Sequence, residues 1–475
     1  MPQATQQKPV RKLRSWEAAA LSVGFMAPLL AMSLNGIGVA GLVGTSVSFV
    51  FLVAFAGTAF IAYGFVRLTR RFNHAGSVYA LAGRTIGPRA GFFGGFALLG
   101  TYVTFAACTL AACAVFLEAW MTAWNPDAAS LPWILASLAA AVLALAANFR
   151  ESRFTARLLT AIGGFGVLLM LILGGVILVK AATGAAPVET AVDLSLLLPG
   201  EVPLSTLLTA SVFAFLSWAG FESCASLGEE TANPRKAIPL ALGGSVVGCG
   251  LIYVFMMFSQ QVGFGSSEEG AAAFAASSSS LTELAGMYIS REYALLLAFA
   301  AFMVAFASTL SSTAAASRLV FALARDGFGP RSLSVIHPGS GIPRRAVAAV
   351  TATAAVLAVL LWAGGVGAFD AYYWYATIAV LCLLVAYATT TAGVAVHILS
   401  GKGSIPRWEL VLPVIGIAYL VFVFVVQSVD QPAPYSYFPA VAAAWCLVGA
   451  GIVIAAPAMA RRIGERLIEE DASHA

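Results

Sequence analysis

One carboxylate lies deep in an otherwise apolar stretch and is well placed for proton or cation chemistry. Glu222 ends the run FAFLSWAGFE, which begins at Phe213 and also holds Ser217 and Gly220. A carboxylate in such surroundings must be paired, hydrated or protonated. We therefore predict that Glu222 handles a proton or a cation. The alternative is a structural hydrogen bond to neighbouring backbone.

A row of hydroxyl side chains in a later apolar run could hold a cation. The row consists of Ser308, Thr309, Ser311, Ser312 and Thr313. Hydroxyls three or four residues apart share one face of a helix, and hard cations prefer oxygen ligands. Ser308 and Ser312 are predicted to bind Na⁺, with Thr309 and Thr313 as further coupling residues. Alternatively, the hydroxyls join neighbouring helices.

The composition indicates that lipid, and not water, surrounds these apolar segments. Of 475 residues, 60% are hydrophobic and 10% charged, and the mean hydropathy is +0.89. One soluble core of this size cannot hide so much apolar surface, so the lipid bilayer is the predicted partner. The net charge of +4 is too small to indicate a nucleic-acid partner. Since only helices satisfy their own backbone in lipid without closing a barrel, an all-α membrane protein follows.

Twelve apolar runs have the length of a membrane span. They cover residues 16–41, 45–67, 90–120, 131–149, 155–181, 205–227, 238–264, 293–320, 346–366, 371–398, 408–428 and 436–460. All but two of the 26 lysines and arginines, Lys180 and Arg291, then lie on one side. The positive-inside rule makes that side cytoplasmic and places both termini there. The predicted division is a tail over 1–15, one transporter domain over 16–462 and a second tail over 463–475.

The first and the sixth span each carry a proline or a glycine near the middle. Pro28 stands in the first span, where it predicts an interruption near residues 27–33. Gly220 stands in the sixth, five spans later, a separation that favours two inverted repeats over about 16–181 and 205–398, with extra helices over about 408–460. Broken helices of such repeats meet in mid-membrane, where freed amides face an anionic group and freed carbonyls a cation. A plain proline kink without a ligand is the alternative.

Other motifs give no support for nucleotide chemistry or catalysis. Gly36 to Gly41 match G-x-G-x-x-G, but they end an apolar span and lack the downstream acidic residue. Gly401-Lys402-Gly403-Ser404 fails the phosphate-loop pattern, so ATP is not an expected partner. The four histidines are scattered and the six cysteines lie in apolar runs. We expect no enzyme activity and no cofactor, apart from Na⁺ or H⁺ as a coupling ion. A membrane-embedded enzyme or sensor is the alternative class.

Three segments between spans resemble the amino acid–polyamine–organocation (APC) superfamily of permeases. After span two, residues 71–79 (RFNHAGSVY) and 87–92 (GPRAGF) are similar to P-x-A-G-x-x-Y and G-P-x-x-G-F. After span six, residues 229–239 (EETANPRKAIP) are similar to E-E-x-x-N-P-x-x-x-I-P. At the end of span eight, Ser317-Arg318 and residues 324–327 (ARDG) are similar to S-R followed by A-R-D-G.

The resemblance implies a five-plus-five inverted-repeat (LeuT-like) fold with two further helices, and uptake or exchange of amino acids or related amines by alternating access. It places a small-molecule substrate against the interrupted parts of spans one and six. The corresponding residues are Ala27, Pro28, Ala31, Met32, Ser33, Phe215, Ser217, Trp218, Ala219 and Gly220. Trp218 or Phe215 would gate the outer mouth or pack the core.

The function predicted from these observations is ion-coupled import of amino acids across the inner cell membrane by a multi-pass protein. An amine or polyamine importer of the same fold, and an amino acid exchanger, stay open as alternatives. Some proton-coupled relatives place a lysine in span five, whereas no lysine occurs here between Lys12 and Lys180. Coupling is thus left to Na⁺ at the span-eight hydroxyls, to protonation of Glu222, or to exchange.

Overall fold

The computed structural model describes residues 12–72, 77–125, 131–150, 152–401, 405–429, 431–456 and 458–459. Sixteen α-helices are assigned within these ranges. They are α1 (Ser15–Met26), α2 (Pro28–Val43), α3 (Val47–Thr69), α4 (Val78–Thr85), α5 (Pro88–Trp124), α6 (Trp133–Asn148), α7 (Ser152–Ala182), α8 (Leu204–Phe215), α9 (Pro234–Phe264), α10 (Glu268–Ala276), α11 (Ser280–Tyr288), α12 (Arg291–Arg325), α13 (Arg344–Ala363), α14 (Ala368–Leu399), α15 (Val411–Ser428) and α16 (Phe438–Ala455).

Apolar helices account for every span predicted from the sequence. Ten segments of the described chain are long and apolar enough to cross a membrane, and the first of them, Ser15–Thr69, contains two predicted spans. The shorter apolar helix α6 coincides with the predicted fourth span. The prediction of an all-helical membrane protein is confirmed. The count of twelve crossings, the inverted repeats and the location of the termini stay predictions, as do the domain boundaries.

Three long helices form the middle of the bundle. α5 packs most extensively against α14 and α12, while α3 packs along α9. The half-helix α1 lies among α7, α9 and α12. Large aliphatic side chains remain exposed on the periphery, among them Val142, Leu143, Leu168, Leu447 and Ile454. Such an apolar exterior fits a lipid environment and leaves the polar side chains of α1 and α12 enclosed by helices.

Polar contacts tie the ends of the helices together on the side that carries the basic residues. Arg153 Nε donates to Glu17 Oε1 at 3.0 Å, joining α7 to α1, and Arg67 pairs with Glu409. Leu13 exchanges backbone hydrogen bonds with Glu230 and Ala232. The Leu13 bonds anchor the residues before α1 to the segment that follows the sixth span. Residues 73–76 of the first family motif, Lys402 and the carboxyl-terminal tail lie outside the described residues.

Candidate functional site

The first span is interrupted at one residue. Ala27 has φ 46° and ψ 67°, and its amide donates to the Val23 carbonyl at 2.9 Å, which ends α1. Pro28 is the first residue of α2, where a missing N–H costs nothing, so the helix resumes at once. The amides of Leu29 and Leu30 lie in the first turn of α2 and have no carbonyl of that helix to bond.

The break is therefore narrower than the predicted interval of residues 27–33. Ala31, Met32 and Ser33 are helical, and the Ser33 hydroxyl donates to the Leu29 carbonyl at 2.8 Å. The physical reason is that proline is well suited to the first turn of a helix and disrupts only the turn before it.

The sixth span is interrupted over a longer stretch. α8 ends at Phe215, a 3₁₀ turn covers Leu216–Trp218, and a second 3₁₀ segment covers Phe221–Leu227. Between them, Ala219 is extended at φ −57° and ψ 128°, and Gly220 has φ 89°. The prediction of paired broken helices thus holds for both spans.

The two breaks meet at Gly220. A Cβ atom on Gly220 would lie 2.0 Å from the ring of Phe25, the third residue before Pro28. Phe25 is fully buried and stacks on Phe105 of α5 with ring centroids 4.6 Å apart. Only a glycine fits this crossing of the first and sixth spans, because it combines a positive φ with the absence of a side chain.

Two side chains that the sequence pattern does not mark hold the crossing together. The Ser22 hydroxyl of α1 donates to the Phe221 carbonyl at 2.6 Å and accepts from the Cys224 amide at 3.1 Å. On the other side of the breaks, Asn35 Nδ2 of α2 donates to the Ser217 hydroxyl at 2.9 Å. Each half of the first span is therefore bonded to the matching half of the sixth.

Glu222 lies next to this crossing and is fully buried. Its Oε1 accepts a hydrogen bond from the Tyr102 hydroxyl at 2.7 Å, and its Oε2 accepts one from the Tyr387 hydroxyl. None of the ion pairs found in the described part of the chain involves Glu222. Phenolic donors from α5 and α14 thus satisfy both oxygens, without a cationic partner among the described residues.

The hydroxyls of α12 are divided between α1 and other partners. Ser308 donates to the Phe25 carbonyl at 2.8 Å, and Ser311 donates to the Leu21 carbonyl at 2.5 Å. Ser312 donates to the Thr309 carbonyl of its own helix at 3.2 Å. Of the predicted Na⁺ pair, Ser308 therefore contacts a carbonyl near the end of α1, whereas Ser312 bonds within its own helix.

The two threonines of the row contact α5 and α6. Thr309 donates to the Thr109 hydroxyl of α5 at 2.9 Å. Thr313 donates to the Thr309 carbonyl at 2.7 Å and accepts from Asn148 Nδ2 at 2.9 Å. These contacts join α12 to α5 and α6, so the helix-joining role applies to this part of the row.

The aromatic residues of the sixth span pack among other rings. Trp218 stacks on Phe55 with centroids 6.1 Å apart and meets Tyr253 edge-on at 5.0 Å. Phe215 contacts Tyr387 and Tyr419 edge-on at 6.5 and 5.9 Å. Both side chains are completely buried in this structure. A gating role for either residue stays a prediction.

Polar contacts join helices at the end of the bundle that carries the basic residues. Arg318 Nε of α12 donates to Glu230 Oε1 at 2.7 Å, and its Nη2 donates to the Ser152 hydroxyl at 3.1 Å. The Tyr79 hydroxyl donates to Asp326 Oδ2 at 2.6 Å. The motif residues Glu230, Arg318 and Asp326 thus lie in contacts that close this end between α4, α7 and α12.

Replacing Arg318 should open that end. Arg318→Ala removes charge-assisted hydrogen bonds to Glu230 and Ser152, and such bonds contribute about 1.5–3 kcal/mol each. We therefore expect Cys224 to react about tenfold faster with a membrane-impermeant maleimide that is added on the side of the basic residues. The reaction is followed in a variant whose other five cysteines are alanine. Arg331→Ala, which removes an exposed arginine of the same end, is the control and should change the rate little. Equal rates in both variants would contradict this assignment.

A bundle of apolar helices in which two interrupted helices meet is the arrangement of secondary transporters. The family model described as "Amino acid permease" matches residues 19–459. The chain therefore belongs to this family of the APC superfamily, and it is a multi-pass membrane transporter of the amino acid and polyamine type. This confirms the resemblance found in the sequence.

Individual relatives are 25–29% identical to this chain over the aligned residues. The low-affinity putrescine importer PlaP of Escherichia coli (strain K12) is 25% identical over 322 residues, which cover 67% of this chain and 68% of the importer. The mitochondrial cationic amino acid transporter 3 of Arabidopsis thaliana is 26% identical over 339 residues, 67% of this chain and 52% of that protein. The vacuolar cationic amino acid transporter 4 of the same plant is 29% identical over 160 residues, 33% and 25% of the two chains.

Proposed function

We propose that the protein imports an amino acid across the inner cell membrane by alternating access and is a secondary transporter rather than an enzyme. The observation that carries the proposal is the contact between the two breaks, where Phe25 lies against Gly220. A rigid-body movement of one half of either span about its break would open the site to one side at a time.

The backbone at the breaks suits a zwitterion. The amino end of α2 presents the amides of Leu29 and Leu30 together with the positive end of the helix dipole, which favours the substrate carboxylate. The carboxyl end of α1 and the extended Ala219 present carbonyl oxygens, which favour an ammonium group. We assign substrate binding to the residues predicted from the sequence around Ala27 and Gly220.

Two groups near the site could couple transport to an ion gradient. Glu222 has hydroxyl donors and no cationic partner among the described residues, which supports coupling to H⁺. Ser308 places a hydroxyl oxygen beside the carbonyls of α1, and such oxygens suit Na⁺. The residues present fit either ion, and exchange without an ion is the remaining alternative.

A double substitution separates a Na⁺ site from a helix contact. If Ser308 and Ser312 hold the ion, Ser308→Ala with Ser312→Ala should abolish stimulation of uptake by Na⁺ while uptake without Na⁺ persists. Initial rates in proteoliposomes with and without an inward Na⁺ gradient measure this effect. Thr309→Val, which removes the hydroxyl that bonds to Thr109 and to the Ala305 carbonyl, serves as control. Unchanged Na⁺ stimulation in the double variant would leave these serines a purely structural role.

Uptake into proteoliposomes tests the function itself. Radiolabelled amino acids are supplied one at a time, with and without Na⁺ and with and without a pH gradient. We expect accumulation of at least one amino acid under one of these gradients. No movement of any amino acid or amine under any gradient would overturn the proposal.

An amine importer is the second candidate. It is favoured because the relatives include proteins named as a putrescine importer and as cationic amino acid transporters. The outer end of the bundle, as predicted from the topology, also carries far more acidic than basic residues, including Glu189, Asp193, Glu201, Glu268 and Asp370. Competition decides between the candidates, because putrescine should outcompete neutral amino acids only if the substrate is an amine.

A further inference from the structure

An apolar groove lies on the periphery of the bundle, away from the two breaks. It encloses about 480 Å³ and is lined by α5, α12, α13, α14 and α16. Ala349 and Thr353 of α13 and Val441 of α16 are exposed, so the groove opens between these two helices. Its deepest residue on α13, Leu357, lies about 20 Å along that helix from Arg344. One leaflet of the hydrocarbon core is about 15 Å deep, so the groove reaches through about one leaflet.

The side chains that line the groove offer water few partners. The hydroxyls of Thr104 and Thr353 donate to carbonyls of their own helices at 2.7 and 2.9 Å. Trp445 Nε1 donates to the Phe96 carbonyl at 2.8 Å. The Cys382 thiol is a weak donor, and the other lining side chains are hydrocarbon. Because apolar cavities stay dry and take up apolar ligands, a hydrocarbon chain is the occupant that fits this wall.

A polar cavity adjoins the groove at the end of the bundle that carries the basic residues. It encloses about 390 Å³, and Arg331 and Ser334 are among the residues that line it. Gly329 lines both the polar cavity and the groove, whereas its neighbours Phe328 and Pro330 line only the groove. The turn after α12 thus has an apolar side and a polar side that meet at one glycine. A ligand with an apolar chain and a polar head could lie across this turn.

The charges around the polar cavity suit an anionic head. Arg331 is exposed and forms no ion pair with any described residue. Arg325 also lines the cavity but is paired with Glu229, and the carboxylate of Asp326 is buried with its Oδ1 3.6 Å from Arg325 Nε. Residues 327–345 contain three arginines and no acidic residue. Arg331 is therefore the cation that is available to a ligand, within a positively charged segment.

We propose that the groove and the polar cavity together bind one anionic phospholipid from the leaflet on the basic side. An acyl chain lies in the groove, the glycerol passes Gly329, and the phosphate lies beside Arg331. Basic pockets between membrane helices attract anionic headgroups in this way. A zwitterionic lipid would fit the groove equally well, so the arginine supplies the selectivity for negative charge. The proposal goes beyond the transport function and does not depend on which substrate is carried.

Native mass spectrometry of the delipidated full-length protein tests the site without relying on transport. Phosphatidylglycerol and phosphatidylcholine with identical chains are added at equal concentrations, and the first adduct should favour phosphatidylglycerol about fivefold. Arg331→Gln should bring the two lipids close to parity, because one arginine beside an anionic headgroup accounts for about that factor. Ala349→Phe places a ring in the groove and should weaken binding of both lipids about tenfold, since the ring displaces about two methylene groups of the chain.

Matched substitutions separate this site from the general lipid shell. Arg70→Gln removes another exposed arginine, one that lines neither cavity. Ala352→Phe adds the same ring to an exposed position of α13 outside the groove. Both variants should bind the two lipids as the wild type does. If Ala349→Phe is not monodisperse, brominated chains of phosphatidylglycerol should quench the fluorescence of Trp445, measured as the difference from Trp445→Phe.

Three results would overturn the proposal. The first is equal binding of the two lipids to the wild type, and the second is an unchanged preference in Arg331→Gln. The third is displacement of the lipid by glycerol 3-phosphate, which would reassign the polar cavity to a free phosphate anion. Absence of uptake by the wild type would refute the transport function and leave the lipid site unaffected.

Discussion

Gly220→Ala should abolish uptake. The added Cβ would meet the Phe25 ring at 2.0 Å, and φ 89° is unfavourable for any residue with a side chain. Phe25 cannot turn aside, because it is fully buried between Tyr102 and Phe105. The steric overlap and the unfavourable φ together cost about 3 kcal/mol of free energy. This corresponds to a loss of about 100-fold in the population of the conformation in which the two spans cross as described. Initial uptake rates in proteoliposomes measure it.

A matched glycine shows whether the effect belongs to the crossing. Gly244 lies in α9, and a Cβ atom added there would have no neighbouring atom within 4 Å, so Gly244→Ala should transport normally. A compensating change, Phe25→Leu, should restore part of the rate to the Gly220→Ala variant by removing the ring. Wild-type rates in Gly220→Ala would show that the breaks need not meet as described.

Glu222→Gln should eliminate the response of transport to a pH gradient. Glutamine keeps the shape and can accept from Tyr102, but it cannot bind and release a proton. If Glu222 carries the coupling proton, uptake should no longer be stimulated by an inward pH gradient, whereas counterflow exchange should continue. The two assays on the same proteoliposomes provide the comparison, and protein abundance should change little.

An exposed glutamate provides the control for this substitution. Glu292 lies at the start of α12 and is exposed, so Glu292→Gln should keep the pH response. If Glu222→Gln also keeps the full response, Glu222 serves only to connect Tyr102 and Tyr387, and coupling has to be assigned to another group.

The helices and both breaks could be predicted because their causes are local. Apolar runs of spanning length predict helices in lipid, Pro28 disrupts the helical turn before it, and Gly220 permits the positive φ at which a helix can be interrupted. The extent of the first break was predicted too widely. A proline at the first position of a helix permits immediate resumption, and the sequence pattern does not distinguish this from a longer unwound stretch.

The partners of the site could not be predicted because they are distant in the chain. Tyr102 and Tyr387 are 120 and 165 residues from Glu222, and Asn35 is 182 residues from Ser217. No local spacing marks these residues, since a tyrosine or asparagine in an apolar helix is compatible with many packing roles. The signal that could have selected Asn35 is its type, an amide side chain within a span, which must find a partner.

The central claim is that substrate binds where the interrupted first and sixth spans meet. The most direct measurement is an electron cryomicroscopy structure of the protein in nanodiscs, saturated with the substrate that the uptake screen identifies. We predict ligand density against the start of α2 and against Ala219 and Gly220, with both spans interrupted. Continuous helices through Ala27 and Gly220, or transported ligand bound only at another place in the bundle, would contradict the account.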